Sequence, residues 1–166
     1  FFDSSYKITS KTNLALGLNI NSTFYKLVDN FNTDVTNYSG KYNFNTILSP
    51  KFGITHDISG NVMLYSSISH GFSPPSLEET LLPDGLINTN IKPESGWNYE
   101  IGSRGNLFKN RLQFDIALFK MNVKNLLVAR RADDDQFIGI NAGKTTYNGL
   151  ELMLNYKIVS TNAIKV

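Results

Sequence analysis

A strict period of two leaves a chain few choices, and here it is most regular between Ile91 and Phe119, IKPESGWNYEIGSRGNLFKNRLQFDIALF. Trp97, Tyr99, Ile101 and Ser103 alternate with Asn98, Glu100, Gly102 and Arg104, an order that a 3.6-residue helical repeat cannot sort onto two faces. A turn at Lys109-Asn110 reverses the chain. Beyond it Leu112, Phe114, Ile116 and Leu118 fall on one face and Gln113, Asp115 and Ala117 on the other, so the segment reads as an antiparallel hairpin with one apolar and one polar wall. Either a protein core or lipid must cover the apolar wall.

The unit recurs. Phe1 to Thr9 reads as the end of a strand, so the chain opens within a structure, and 10–13 supplies turn residues. Leu14, Leu16, Leu18 and Ile20 begin a strand that runs through Phe24-Tyr25 toward Val28. After a polar loop at 29–43, Phe44 to Asp57 forms the next strand, where Pro50 requires a missing ladder bond or a bulge. Ser59-Gly60-Asn61 turns the chain into Val62 to Phe72. Ser73 to Glu94, with prolines at 74, 75, 83 and 93, is a long loop with one helical turn near Leu77-Glu78-Glu79. The strand from Leu112 extends to Ala129, 130–136 is a loop, Phe137 to Ile158 returns, and 163–166 starts an eighth strand.

Short and long connections therefore alternate: 10–13, 58–61, 109–110 and 159–162 against 29–43, 73–94 and 130–136. In an up-and-down sheet this puts the short turns at one end and the long loops at the other, as in outer-membrane barrels. Phe108 and Tyr156 lie near the short turns, and Phe24, Tyr25, Phe72, Trp97 and Tyr147 near the long loops, where two interfacial girdles would sit. Glu100, Arg104, Asp115 and Glu151 share the face opposite the apolar wall and are expected to face the lumen, beside water or a polar plug. Gly102, Gly105, Gly143 and Gly149 read as bends or bulges.

Composition removes other classes. A net charge of +2 with scattered lysines and arginines lacks the footprint of a nucleic-acid binder. The absence of cysteine removes thiolate chemistry and disulfides. No apolar run reaches the ~20 residues of a membrane helix. His70 pairs near residue 49, roughly 23 Å from His56 at about 3.3 Å per residue, so the two cannot share a metal. Asp133-Asp134-Asp135 lacks the spacing of a calcium loop, and no nucleophile elbow, phosphate-cradling loop or zinc-protease pattern occurs. No enzyme, metal site or cofactor is expected. Glu78, Glu79, Asp84, Arg130 and Arg131 stand in the long loops as candidate ligand contacts.

Several features resemble the C-terminal part of the β-barrel of TonB-dependent outer-membrane receptors: Gly71-Phe72 with Pro74-Pro75; Pro93-Glu94, then Tyr99-Glu100-Ile101-Gly102; and Asn141-Ala142-Gly143, then Tyr147 and Gly149-Leu150-Glu151. The resemblance implies an all-β fold of antiparallel up-and-down strands, with residues 1–166 part of a transmembrane barrel of about 22 strands. It implies a Gram-negative outer-membrane receptor that takes up a scarce nutrient, foremost a ferric siderophore, with membrane lipid, an N-terminal plug and the TonB complex as partners. The plug, the TonB box and the terminal aromatic strand are expected in a longer parent chain, and this segment alone is expected to transport nothing. Two alternatives stay open: a small stand-alone outer-membrane barrel with a structural or adhesive role, and a soluble lipocalin-like binding barrel whose apolar face points inward.

Overall fold

The computed structural model describes residues 1–30, 39–131 and 137–158. Seven strands pair antiparallel in chain order: β1 (Phe2–Lys7), β2 (Thr12–Asn21), β5 (Ile47–Ser59), β6 (Val62–Ser73), β7 (Glu94–Leu107), β8 (Leu112–Lys124) and β11 (Lys144–Tyr156). Two short hairpins stand in the connections, β3 (Phe24–Leu27) with β4 (Gly40–Asn43) and β9 (Leu127–Arg131) with β10 (Phe137–Asn141). A 3-10 turn, η1 (Glu78–Thr80), lies in the connection between β6 and β7, where the sequence places a helical turn.

The connections segregate as expected. Residues 8–11, 60–61 and 108–111 close tight turns at one edge, while the described residues between β2 and β5, between β6 and β7 and between β8 and β11 lie at the other. In the last tight turn Phe108, Lys109 and Asn110 all take positive φ, and the Arg111 N–H donates to the carbonyls of Leu107 and Phe108.

Four boundaries differ from the sequence reading, each for a local reason. The strand from Leu14 does not run on through Tyr25: the β2–β5 ladder ends at Asn21, where the Thr23 hydroxyl donates to Asn21 Oδ1, and residues 24–27 turn away to pair with 40–43. Phe44 does not open β5, which begins at Ile47; it is buried among the long connections. The strand from Leu112 stops at Lys124, because Asn125 adopts φ 55°, and its partner breaks at Gly143 with φ 124°. The register irregularity falls between Asp57 and Ser59, not at a glycine, while Pro50 behaves as expected: the β5–β6 ladder stops at Lys51 and Pro50 has no partner on β6. Asp133–Asp135, the turn at 159–162 and the eighth strand lie outside the described residues.

Register sorts the side chains into two faces. Asp57, Met63, Arg104, Asp115 and Met153 form one cross-strand row, Thr55, Tyr65, Gly102, Ala117 and Glu151 the next, and Gly53, Ser67, Glu100, Phe119 and Gly149 a third. The opposite face carries Ile54, Ser66, Ile101, Leu118 and Leu150, then His56, Leu64, Ser103, Ile116 and Leu152. No layer of the described chain covers that apolar face. Leu118, Leu150, Leu152 and Leu154 are each 54–60% exposed, a contiguous apolar surface that a soluble monomer does not leave open. Thirteen residues of β11, rising about 3.4 Å each and tilted about 40°, cross roughly 30 Å, the hydrocarbon thickness of a bilayer.

Two glycines on the polar face make room for rings rather than for bulges. A Cβ on Gly149 would run into the ring of Phe119, its Cα partner on β8. Gly149→Ala is expected to cost about 1–3 kcal/mol by overpacking, and Phe119→Ala in the same chain to remove most of that penalty. Urea titration of a double-mutant cycle in the refolded full-length protein measures it; additive penalties would contradict the packing.

Candidate functional site

Two regions gather chemically capable side chains: the polar face near the tight turns, and the long-connection edge. On the polar face Tyr65 is the organiser. A Cβ at position 102 would lie 2.5 Å from Tyr65 Cζ and 2.6 Å from its Oη, so only glycine lets the ring cross β7. The hydroxyl then donates to Asp115 Oδ1 on β8 at 3.0 Å. Arg104 sits directly opposite Asp115 in the ladder, with its guanidinium carbon 5.3 Å from the Tyr65 ring centroid, a cation–π arrangement. Glu100 lies one row toward the long connections, and Glu151 lies in the Tyr65 row opposite Ala117. All four charged residues singled out in the sequence therefore share one face, and a shallow cleft there is lined by Tyr65, Glu100, Arg104, Asp115 and Glu151. Tyr65, in the most weakly patterned strand, escaped sequence reasoning, because the signal is its register with Gly102 across the long connection between β6 and β7.

At the other edge the connections assemble around a core of their own. Phe44, Pro75, Thr80 and Ile91 are buried there, with Ile91 2% exposed. Tyr25 and Tyr42 both meet the Phe44 ring edge-on. Their hydroxyls donate to the Pro75 and Thr89 carbonyls, tying the β3–β4 hairpin to the connection between β6 and β7. Gly139 of β10 packs against the backbone of Glu79 so closely that no side chain fits, and the Asn88 amide donates to the Gly139 carbonyl. Asn141 fastens the base of the β9–β10 hairpin: its Oδ1 accepts the Lys92 N–H at 2.8 Å, and its Nδ2 donates to the carbonyls of Lys92 and Asn125, both at 2.9 Å. Beside it, Glu94 Oε2 accepts the Leu127 N–H at 3.1 Å. The Pro93-Glu94 and Asn141-Ala142-Gly143 motifs, 47 residues apart in sequence, are two halves of this joint.

The loop candidates fall into two groups. Glu79 and Ser76 form a reciprocal cap, Glu79 Oε2 accepting the Ser76 N–H at 2.7 Å and Ser76 Oγ accepting the Glu79 N–H at 3.2 Å; the Ser-x-x-Glu spacing was the signal for it. Asp84 Oδ1 accepts the Leu86 N–H in the turn that closes at Gly85. Glu78 is exposed, and Arg130 and Arg131 are exposed on β9, opposite Ile138 and Phe137. Of the aromatic residues placed in girdles, Trp97 lies on the apolar face against His70, whereas Tyr147 lies in register with Met121 on the polar face and Tyr25 belongs to the loop core. His56 and His70 stay apart, bonded to Thr12 and Ser49.

The family model for the TonB dependent receptor-like β-barrel matches residues 1–164. The chain belongs to this family, within its β-barrel. The family consists of transport receptors, not enzymes, and TonB-dependent receptors are outer-membrane proteins of Gram-negative bacteria. The chain is 28% identical over 112 residues to the ferric-pyoverdine M114 receptor PbuA of Pseudomonas sp. (strain M114), an alignment covering 68% of this chain and 13% of that receptor. Among solved structures, the copper transporter OprC superposes with a TM-score of 0.77 at 17% identity, over 95% of this chain and 25% of OprC. The siderophore receptor PirA of Pseudomonas aeruginosa does so at 0.68 and 17% identity, over 92% of this chain and 29% of PirA. The chain thus spans about an eighth of its curated relative and a quarter of these solved chains, and its seven strands form an unclosed sheet of the receptor barrel.

The joint at Asn141 is open to test. Asn141→Ala leaves the Lys92 N–H and two carbonyls without their partner, a loss of about 1–3 kcal/mol. Hydrogen exchange should quicken in 88–93 and 137–141 while β8 stays protected; unchanged exchange in both connections would contradict the joint.

Proposed function

We propose that this chain is a wall segment of an outer-membrane receptor that takes up a scarce nutrient by the TonB-dependent route, a ferric siderophore foremost. The observation that carries the proposal is the family match, joined by a curated relative named as a ferric-pyoverdine receptor. In this reading the apolar face meets membrane lipid, and the polar face, with Glu100, Arg104, Asp115 and Glu151, looks into the lumen toward an N-terminal plug supplied by a longer parent chain. Carboxylates and a guanidinium are tolerable there because water or a polar plug solvates them. The TonB complex acts on that parent chain, and the whole resides in the Gram-negative outer membrane.

The long-connection edge is then the outward-facing end. A ligand bearing anionic and hydroxyl groups would meet Arg130 and Arg131 on the β9–β10 hairpin, with Glu78, Glu79 and Asp84 on the neighbouring connection. Of these carboxylates Glu79 and Asp84 chiefly hold the connection in shape, through the bonds to Ser76 and Leu86. That support favours Arg130 and Glu78 as the contacts available to a ligand. The soluble lipocalin-like alternative places the apolar face inward, opposite to the uncovered face seen here, and the small stand-alone barrel does not accord with a match to a segment of far longer receptors.

Uptake of radiolabelled iron as ferric pyoverdine, by receptor-deficient cells expressing the full-length receptor that carries this segment, tests the proposal. Accumulation that disappears when TonB is deleted is expected; accumulation indifferent to both receptor and TonB would overturn it. On the same receptor, Leu118→Arg should cost roughly 2–4 kcal/mol or block assembly, whereas Gln113→Arg on the opposite face should change stability by less than about 1 kcal/mol. Equal tolerance of the two, by heat-modifiability on gels and urea titration, would contradict the assignment of faces.

A further inference from the structure

Charge is sorted between the two faces more strictly than hydrophobicity is. In the seven strands every carboxylate, namely Asp3, Asp57, Glu94, Glu100, Asp115 and Glu151, lies on the polar face by register. The apolar face carries no carboxylate, and its charged side chains are three lysines, all on the neighbouring strands β8 and β11. Lys124 is the direct partner of Lys144, and Lys120 stands opposite Tyr99 and Asn148, four residues nearer the apolar belt. All three are exposed, and none makes a side-chain hydrogen bond or ion pair among the described residues. Between them Thr146 donates a hydroxyl hydrogen bond to Asn122 Oδ1 at 3.1 Å, giving the patch a neutral polar floor.

Two like charges directly opposite in an antiparallel ladder, with Cα atoms about 5 Å apart, repel each other. Glu94, the strand carboxylate nearest to them, is turned to the other face, where it accepts the Leu127 N–H. No described group of the chain neutralises the pair, which leaves it open to an anionic partner. Its location follows from the belt. Leu112, Phe114, Ile116 and Leu118 end one position before Lys120 on the same face of β8, and Tyr99 and Trp97 flank the lysines on β7. The patch therefore sits at the level where hydrocarbon gives way to headgroups, on the long-connection side.

We infer that Lys120, Lys124 and Lys144 form a docking site for an anionic phosphate-bearing lipid headgroup in the leaflet nearest the long connections. The inference rests on the membrane reading proposed above. Lys124 and Lys144 can close on one phosphate from two strands, while Lys120, roughly 14 Å below Lys124 at about 3.4 Å per residue, reaches upward along the polar floor with its long stem. Simple snorkelling places lysines at an interface but does not require two of them to face each other without a carboxylate on the whole face. Near a leaflet surface each such charge adds about 1 kcal/mol to the attraction for anionic lipid.

The test uses the full-length receptor that carries this segment, in bilayers of phosphatidylcholine containing a minor fraction of phosphatidylglycerol, with native mass spectrometry counting the lipids retained. The wild-type receptor should retain phosphatidylglycerol above its bulk fraction, and K120Q/K124Q/K144Q should lose that enrichment by tenfold or more. K124R/K144R should keep it, as should K7Q/K51Q, which removes two lysines from the opposite face. Enrichment unchanged in the triple variant, or lost equally in K7Q/K51Q, overturns the site while leaving the membrane reading intact. Failure of the wild-type receptor to enter the bilayer at all would instead overturn both.

Discussion

The structure depends on the backbone hydrogen bonds between neighbouring strands. A sheet with no covering layer on its apolar face has no tertiary core to fix its register, so the ladders must do it. They run unbroken over thirteen pairs between β8 and β11 and between β7 and β8, and the single irregularity, at Asp57–Ser59, lies beside a tight turn. The side-chain arrangement on both faces of the sheet follows from that register. A slip of one residue between β6 and β7 would take Gly102 from beneath Tyr65, separate Arg104 from the Tyr65 ring and move Glu100 into the row of Ile101.

The burial that exists is concentrated away from the sheet. Phe44, Pro75, Thr80 and Ile91 form a small core among the long connections, closed by two tyrosine hydroxyls and by the amide of Asn141. Such a core holds three separate connections to one another, so the long-connection end of the sheet is an assembled surface. This organisation suits a receptor whose ligand must be recognised at that end, because contacts on a preassembled platform bind without the full entropic cost of ordering three loops.

The strands were legible because alternation of period two is written into single residues: Leu112, Phe114, Ile116 and Leu118 could occupy no other face than one. The shared face of Glu100, Arg104, Asp115 and Glu151 was readable for the same reason. Strand ends were not, since Phe24 and Tyr25 continue the apolar alternation of β2 and only the bond between Thr23 and Asn21, with pairing to residues 40–43, turns them aside. The loop core escaped for a different reason. Ile91, Phe44 and Thr80 are isolated in polar, proline-rich sequence, and contacts between residues some 40 positions apart leave no periodic trace. Tyr65 is intermediate: its strand was visible, while its partner Asp115 lies two strands away and is reached only over Gly102 on the strand between.

In the proposed receptor wall a lipid side and an aqueous side alternate residue by residue along β8. Residues 1–166 contain no cysteine, so single cysteines introduced at 113, 114, 115, 116, 117 and 118 report without background from this segment once any cysteine elsewhere in the full-length receptor is replaced by serine. In intact outer membranes, probes at 114, 116 and 118 should be quenched by lipid-confined quenchers and probes at 113, 115 and 117 should not. A uniform response along the strand, or quenching at 113, 115 and 117 instead, would contradict the account.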